Sequence, residues 1–121
     1  MKYRSLGRTG LEVSSIGLGC VTFGREIDKA TSFEVLDHAF ERGINLLDTA
    51  EAYAAGESER VVGAWMADRG VRDRVVLATK VAGRLTRDRV IGSAEESLRR
   101  LGVDVIDLFQ LHNWDDDVPM E

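Results

Sequence analysis

The chain has 121 residues, with 16 basic against 21 acidic side chains for a formal charge of −5, and 44% of its residues are apolar. That composition excludes a disordered chain, and one proline with twelve aperiodic glycines excludes a collagen-like or proline-rich linker. The acidic balance and the dispersed arginines and lysines argue against nucleic acid as a partner, while the length suits one domain that buries roughly two-thirds of its unfolded surface.

In chain order, Tyr3–Leu6 and Leu11–Ser14 flank Gly7 and Thr9-Gly10 and read as a hairpin over residues 1–14. Ser15–Gly19 is a short apolar strand and Thr22 to Glu26 a loop. A helix fits Asp28 to Arg42, with Asp28 as N-cap, Gly43 past its end, and Phe33, Leu36, Ala39 and Phe40 at helical spacing. Ile44–Asp48 is the next strand and Thr49–Glu57 a loop. Ser58 can cap a helix to about Arg69, where Gly70 follows. Val75–Lys80 is a third strand. Thr86 caps a helix that carries Val90, Ile91, Ala94 and Leu98 and stops at Gly102. Val105–His112 is a fourth strand, and residues 113–121 form an acidic loop or tail. Apolar strands alternating with helices predict a parallel α/β sheet covered on both faces.

Cys20 is the single cysteine, so an internal disulfide is excluded. The opening MKYRSLGRTGLEV lacks the apolar stretch of a signal peptide, and no apolar run approaches the roughly 18 residues that span a bilayer. A soluble, cytoplasmic protein without a membrane partner is expected.

The strand ends carry the chemistry. The second strand ends in Asp48, the third in Lys80 and the fourth in His112, and Tyr53 lies five residues past Asp48. Ligands bind at the carboxyl ends of parallel strands. Side chains alternate along a strand. If Lys80 and His112 point inward, so do Val76, Ala78, Leu108 and Gln110, while Phe109 and Leu111 face the helices. An ammonium beside a phenol stabilises the phenolate left when a proton departs, against the desolvation that opposes it. Asp48 would pair with Lys80 and keep it charged. His112 would hydrogen-bond a carbonyl or hydroxyl oxygen. That set suits carbonyl reduction with Tyr53 as general acid. No side chain donates hydride, so a nicotinamide cofactor is required.

At these residues the chain resembles the aldo-keto reductases. The resemblance rests on GINLLDTAEAYAAGESERVVG (Gly43–Gly63), VVLATKV (Val75–Val81) and SLRRLGVDVIDLFQLHN (Ser97–Asn113), with LGRTGLEVSSIGLGCVTFG (Leu6–Gly24) resembling the family's N-terminal hairpin and first strand. It implies a TIM-type (β/α)₈ barrel whose bottom is closed by the hairpin, and a catalytic tetrad at Asp48, Tyr53, Lys80 and His112. It further implies reduction of aldehydes or ketones by NADPH, with Tyr53 as proton donor and Gly19, Cys20, Val21, Thr22 and Asp48 near the cofactor.

Such a barrel typically takes about 250 residues. Four strands and three helices make only its first half, so a single truncated domain over 1–121 is expected. Most of the family's NADPH site lies in the other half, and GLGCVTFG is no dinucleotide fingerprint. The competing expectation is therefore a non-catalytic fragment or interaction module that pairs with a second copy or a complementary half barrel. In that picture the first and fourth strands are open edges, and Val76, Ala78 and Leu108 meet water.

Other residues stay open between two readings. Cys20 either faces the cofactor or fills a small apolar space. Trp114 either lines a substrate pocket or is exposed. Trp65 and Met66 pack a helix on the sheet. His38 is a surface or packing residue. Asp115–Asp117 lack the ligand spacing of a cation site, and no metal is expected.

Overall fold

The structure is a computed structural model and describes residues 1–119. Two strands, β1 (Tyr3–Ser5) and β2 (Glu12–Ser14), form an antiparallel hairpin with Tyr3 opposite Ser14. The Tyr3 hydroxyl donates to the Gly43 carbonyl at 2.8 Å and so fastens the hairpin to the turn after the first helix.

A four-stranded parallel sheet follows: β3 (Gly17–Gly19), β4 (Leu46–Asp48), β5 (Val76–Val81) and β6 (Leu108–Leu111), paired in that order. Its register sets Gly19 opposite Asp48, Asp48 opposite Ala78, Ala78 opposite Leu108 and Lys80 opposite Gln110. Three of the four strands are shorter than the apolar runs, and side chains take main-chain groups near the lower end of the sheet. The Asn45 carboxamide accepts from Ser14 N–H, the Asp107 carboxylate accepts from Leu77 N–H, and Arg72 donates to the Val105 carbonyl.

Three helices cover one side. Helix α1 (Lys29–Glu41) starts as expected, with the Asp28 carboxylate accepting from Thr31 N–H, and α3 (Arg87–Leu101) starts at Thr86, whose hydroxyl accepts from Arg89 N–H. Helix α2 (Glu57–Arg69) differs: its N-cap is Gly56, and Ser58 is not a cap. The Ser58 hydroxyl is fully buried, donates to the Cys20 carbonyl at 2.7 Å and lies 2.8 Å from the Thr49 hydroxyl. It stitches the ends of β3 and β4 to α2, which is a tertiary use invisible in the local pattern.

The core lies between sheet and helices and contains Cys20, Phe23, Leu36, Leu47, Val62, Trp65, Met66, Leu77 and Leu101. Trp65 and Met66 are each 1% exposed, and Trp65 stacks edge-on against Phe40 with centroids 5.6 Å apart. Gly63 lets the helices touch: a Cβ there would lie 2.3 Å from the Leu101 carbonyl oxygen of α3.

Two expectations are corrected. Val76 and Ala78 do not meet water; both are buried, because Leu46 and Leu108 flank them in register from the neighbouring strands. Leu111 does not face a helix; it is 56% exposed, since among the described residues no helix follows β6 to cover its outer side. Helix α3 also turns a different face inward than its apolar residues suggest. Ser93, Ser97 and Leu101 are buried, whereas Ile91 is 44% exposed.

Residues 113–119 are a loop tied to the strand–helix turn before α3. The Asp115 carboxylate accepts from Leu85 N–H and pairs with Arg84, and Asn113 bonds both main-chain groups of Gly83. Among the described residues no helix is long and apolar enough to cross a membrane.

Candidate active site

The inner side chains of all four strands line one groove of about 320 Å³, formed by Gly17, Gly19, Leu46, Asp48, Ala78, Leu108 and Gln110. At its upper rim the four residues singled out at the strand ends come together.

Lys80, near the end of β5, is the hub. Its Nζ lies 2.8 Å from the Asp48 carboxylate, donates to the Thr49 carbonyl at 2.8 Å and reaches the Tyr53 hydroxyl at 3.5 Å. Its side chain is 13% exposed, against 39% for Asp48. The ammonium also stands 5.0 Å from the Tyr53 ring centroid. His112 follows β6, held by its N–H to the Val81 carbonyl, and meets the Tyr53 ring edge-on at 5.6 Å between centroids. His112 is exposed, so the phenol lies between a half-buried cation and a solvent-facing ring.

Tyr53 reaches this place through a tight turn. Tyr53–Gly56 makes a short 3-10 turn in what reads as a loop, and Ala54 and Ala55 take left-handed φ values of 51° and 52°, followed by Gly56 at 90°. Only the glycine accepts that conformation without strain.

The residues expected near a cofactor divide. Gly19 sits beside Asp48 in register, and space is open where a Cβ would stand. Val21 is 37% exposed and Thr22 half-buried. Cys20 is fully buried in the core, its N–H donating to the Asp48 carbonyl and its carbonyl accepting from Ser58. Burial, helped by the Asp48 charge, pushes its thiol up to about 12.

Two carboxylates that the strand-end pattern does not reveal flank the Tyr53 turn. Glu51 accepts from Ala82 N–H at 2.9 Å, from the Ser93 hydroxyl at 2.5 Å and from Arg89. Burial pushes its carboxyl up, but the Ala82, Ser93 and Arg89 donors outweigh it and hold it below the usual carboxylate range. Glu59 is fully buried; it accepts from Thr79, Ser97 and Arg100 at 2.7, 2.9 and 2.9 Å. The signal for them lies in α3, where two serines four residues apart occupy a helix face.

Other sites resolve more simply. Trp114 is 67% exposed, donates to the Asp116 carboxylate and lines a cleft of about 140 Å³ with Leu85, Leu111 and Val118. His38 lies exposed in the last turn of α1. Asp115 and Asp117 both pair with Arg84. Among the described residues no three His, Cys, Asp or Glu side chains are grouped to hold a metal ion.

Comparison with known proteins sets this geometry in a family. The model of the Aldo/keto reductase family matches residues 15–121. The aldo-keto reductase YhdN of Bacillus subtilis is 42% identical over 134 aligned positions, which take in all of this chain and 40% of that protein. The uncharacterized oxidoreductase YrpG of the same organism is 38% identical, over all of this chain and 43% of that protein. Among solved structures, the holo form of aldo-keto reductase AKR11C1 from Bacillus halodurans superposes with a TM-score of 0.87 at 37% identity, covering 99% of this chain and 43% of that one. The chain thus spans about two-fifths of the length of these relatives, and its sheet corresponds to four strands of their TIM-type barrel. The parallel sheet with its covering helices is that of the aldo/keto reductase family, to which this chain belongs.

Proposed function

We propose that this chain carries the proton-transfer half of an NADPH-dependent carbonyl reductase acting on aldehydes or ketones. The observation that carries the reading is the Lys80 ammonium held between the Asp48 carboxylate and the Tyr53 hydroxyl, with His112 against the same phenol. Tyr53 gives its proton to the carbonyl oxygen as that oxygen gains negative charge. Lys80 stabilises the phenolate left behind, and Asp48 anchors Lys80. His112, on the open side, orients the carbonyl oxygen toward the phenol.

A reduced nicotinamide, when bound, supplies the hydride to the carbonyl carbon that no side chain can. The residues present fit one end of such a molecule. Gly19 leaves open space beside Asp48, the Asp48 carboxylate is accessible to a ribose hydroxyl, and Val21 and Thr22 border the same rim.

A titration of the chain with NADPH, read by nicotinamide fluorescence, tests the reading, followed by turnover of aldehydes and ketones. Saturable binding and turnover are expected. Tyr53→Phe is expected to lower turnover by roughly 10²–10⁴-fold and to leave cofactor binding intact. Undiminished turnover in that variant removes Tyr53 as proton donor.

A second reading is favoured by the outer edges of β3 and β6, which have no strand partner among the described residues. In it the chain is a half-barrel module that pairs with a second copy or a complementary half. A folded chain that ignores millimolar NADPH but sediments as a defined oligomer supports this reading over the first.

A further inference from the structure

Helix α3 presents Arg89, Ser93, Ser97 and Arg100 along one face, at spacings that bring them into line. The two serines are buried, an unusual use of a helix face that could have carried leucines. Each half of this polar stripe receives a carboxylate from one flank of the Tyr53 turn. Upstream of the turn, Glu51 bonds Ser93 and Arg89, and its N–H also donates to the Lys80 carbonyl. Downstream, Glu59 bonds Ser97 and Arg100, and accepts from Thr79, the residue before Lys80. Arg100 runs directly beneath the end of the turn: a Cβ on Gly56 would meet its Cδ at 2.7 Å.

The segment between these two anchors is the strained one. Ala54, Ala55 and Gly56 are three successive left-handed residues. Such a run persists only where its surroundings fix both ends. A buried ion pair such as Glu59–Arg100 adds little stability over apolar residues of the same size, but it does fix geometry.

We propose that Glu51 and Glu59 are positioning residues: docked on the Arg89–Ser93 and Ser97–Arg100 halves of α3, they clamp both ends of the Tyr53–Gly56 turn and hold the Tyr53 hydroxyl at Lys80. The clamp's part in catalysis rests on the reading of Tyr53 as proton donor; its part in geometry does not.

The test is nuclear magnetic resonance of the full chain with labelled tyrosine and histidine rings. The two tyrosines, Tyr3 and Tyr53, lie on opposite ends of the sheet, so Tyr3 and the Trp65 indole report the fold while Tyr53 reports the site. The wild-type chain is expected to show a nuclear Overhauser contact between the Tyr53 and His112 rings, whose centroids are 5.6 Å apart. In Glu51→Gln and Glu59→Gln the expected result is loss of that contact and a shifted Tyr53 resonance, with Tyr3 and Trp65 unchanged. An unchanged Tyr53–His112 contact in both variants overturns the proposal. If Glu59→Gln fails to fold, Glu51→Gln and Arg89→Gln decide, because the Arg89 side chain is 41% exposed and glutamine there stays in contact with water; a retained contact in both again overturns it. Where turnover is measurable, the clamp predicts a fall in kcat with KM for the carbonyl unchanged. A wild-type chain without turnover removes the reading of this chain alone as a reductase and leaves the ring contact to decide the clamp.

Discussion

Lys80 Nζ stands 3.5 Å from the Tyr53 hydroxyl, and its two shorter contacts, at 2.8 Å each, go to the Asp48 carboxylate and the Thr49 carbonyl. The ammonium is thereby fixed in direction before any substrate arrives. Its third donor is directed at the phenol, where in the proposed mechanism negative charge develops as the proton leaves.

Lys80→Met therefore separates charge from shape. The methionine keeps most of the aliphatic stem, and Asp48, more than a third exposed, stays hydrated without its partner. At this distance and an effective dielectric of about 20, the attraction to a phenolate is about 5 kcal/mol at most. Turnover is expected to fall by roughly 10²–10³-fold, with the folding midpoint nearly unchanged. Steady-state kinetics beside a denaturation curve check this; normal turnover with a normal pH profile would remove Lys80 from the proton step.

The turn after Tyr53 makes a stability prediction. Ala55 is exposed and left-handed at φ 52°, so its methyl group contributes strain and little packing. The left-handed conformation costs a non-glycine residue roughly 1–2 kcal/mol, of which the freer unfolded glycine chain gives back part. Ala55→Gly is expected to stabilise by roughly 0.5–1 kcal/mol, about 2–5 °C in Tm. A lower Tm in this variant would show that the turn is unstrained.

Cys20 yields the pH dependence. The buried thiol is pushed up to about 12, against about 8.5 in an unfolded chain. A group whose value is raised on folding contributes stability that is complete below the unfolded value and disappears as pH climbs through the folded one. The chain should lose stability progressively between about pH 8.5 and 12, and Cys20→Ala should flatten that limb. At pH 8 a disulfide reagent such as 5,5′-dithiobis(2-nitrobenzoate) should label the folded chain no faster than it unfolds. Immediate stoichiometric labelling would place the thiol at the surface instead.

What could be read from the residues follows from the range of the forces. Asp48, Lys80 and His112 stand at the ends of apolar runs, and period-two alternation alone turns them to one rim, where the structure brings them together with Tyr53. Asp28 and Thr86 cap helices by contacts within three residues, so they too are legible. Glu59 is not. Its partners Thr79, Ser97 and Arg100 lie 20 to 41 residues away, and on its own it reads as a solvated glutamate in a first helical turn. The same distance hides Ser58, which looks like a cap and serves as a buried link to Cys20. Ala54 and Ala55 carry no turn chemistry at all, so a left-handed turn there is imposed by the tertiary structure.

Two glycines in helices give a paired prediction about how α2 and α3 hold the site. At Gly63 of α2 a Cβ would lie 2.3 Å from the Leu101 carbonyl oxygen and 2.7 and 2.8 Å from its carbonyl carbon and Cα. These are main-chain atoms, so no rotamer change relieves the clash and the helices must part. Parting them also pulls Glu59 of α2 from Ser97 and Arg100 of α3. Gly63→Ala is expected to destabilise by roughly 3 kcal/mol, near the upper end for overpacking, and to lower Tm by about 10 °C. Gly92 of α3 meets nothing within 4 Å and has ordinary helical φ, so Gly92→Ala should gain the helix propensity of alanine, about 0.5–1 kcal/mol. Opposite signs for the two substitutions in thermal denaturation place the tight contact at Gly63. Equal effects would mean that α2 and α3 do not approach as closely as the buried Glu59 network requires.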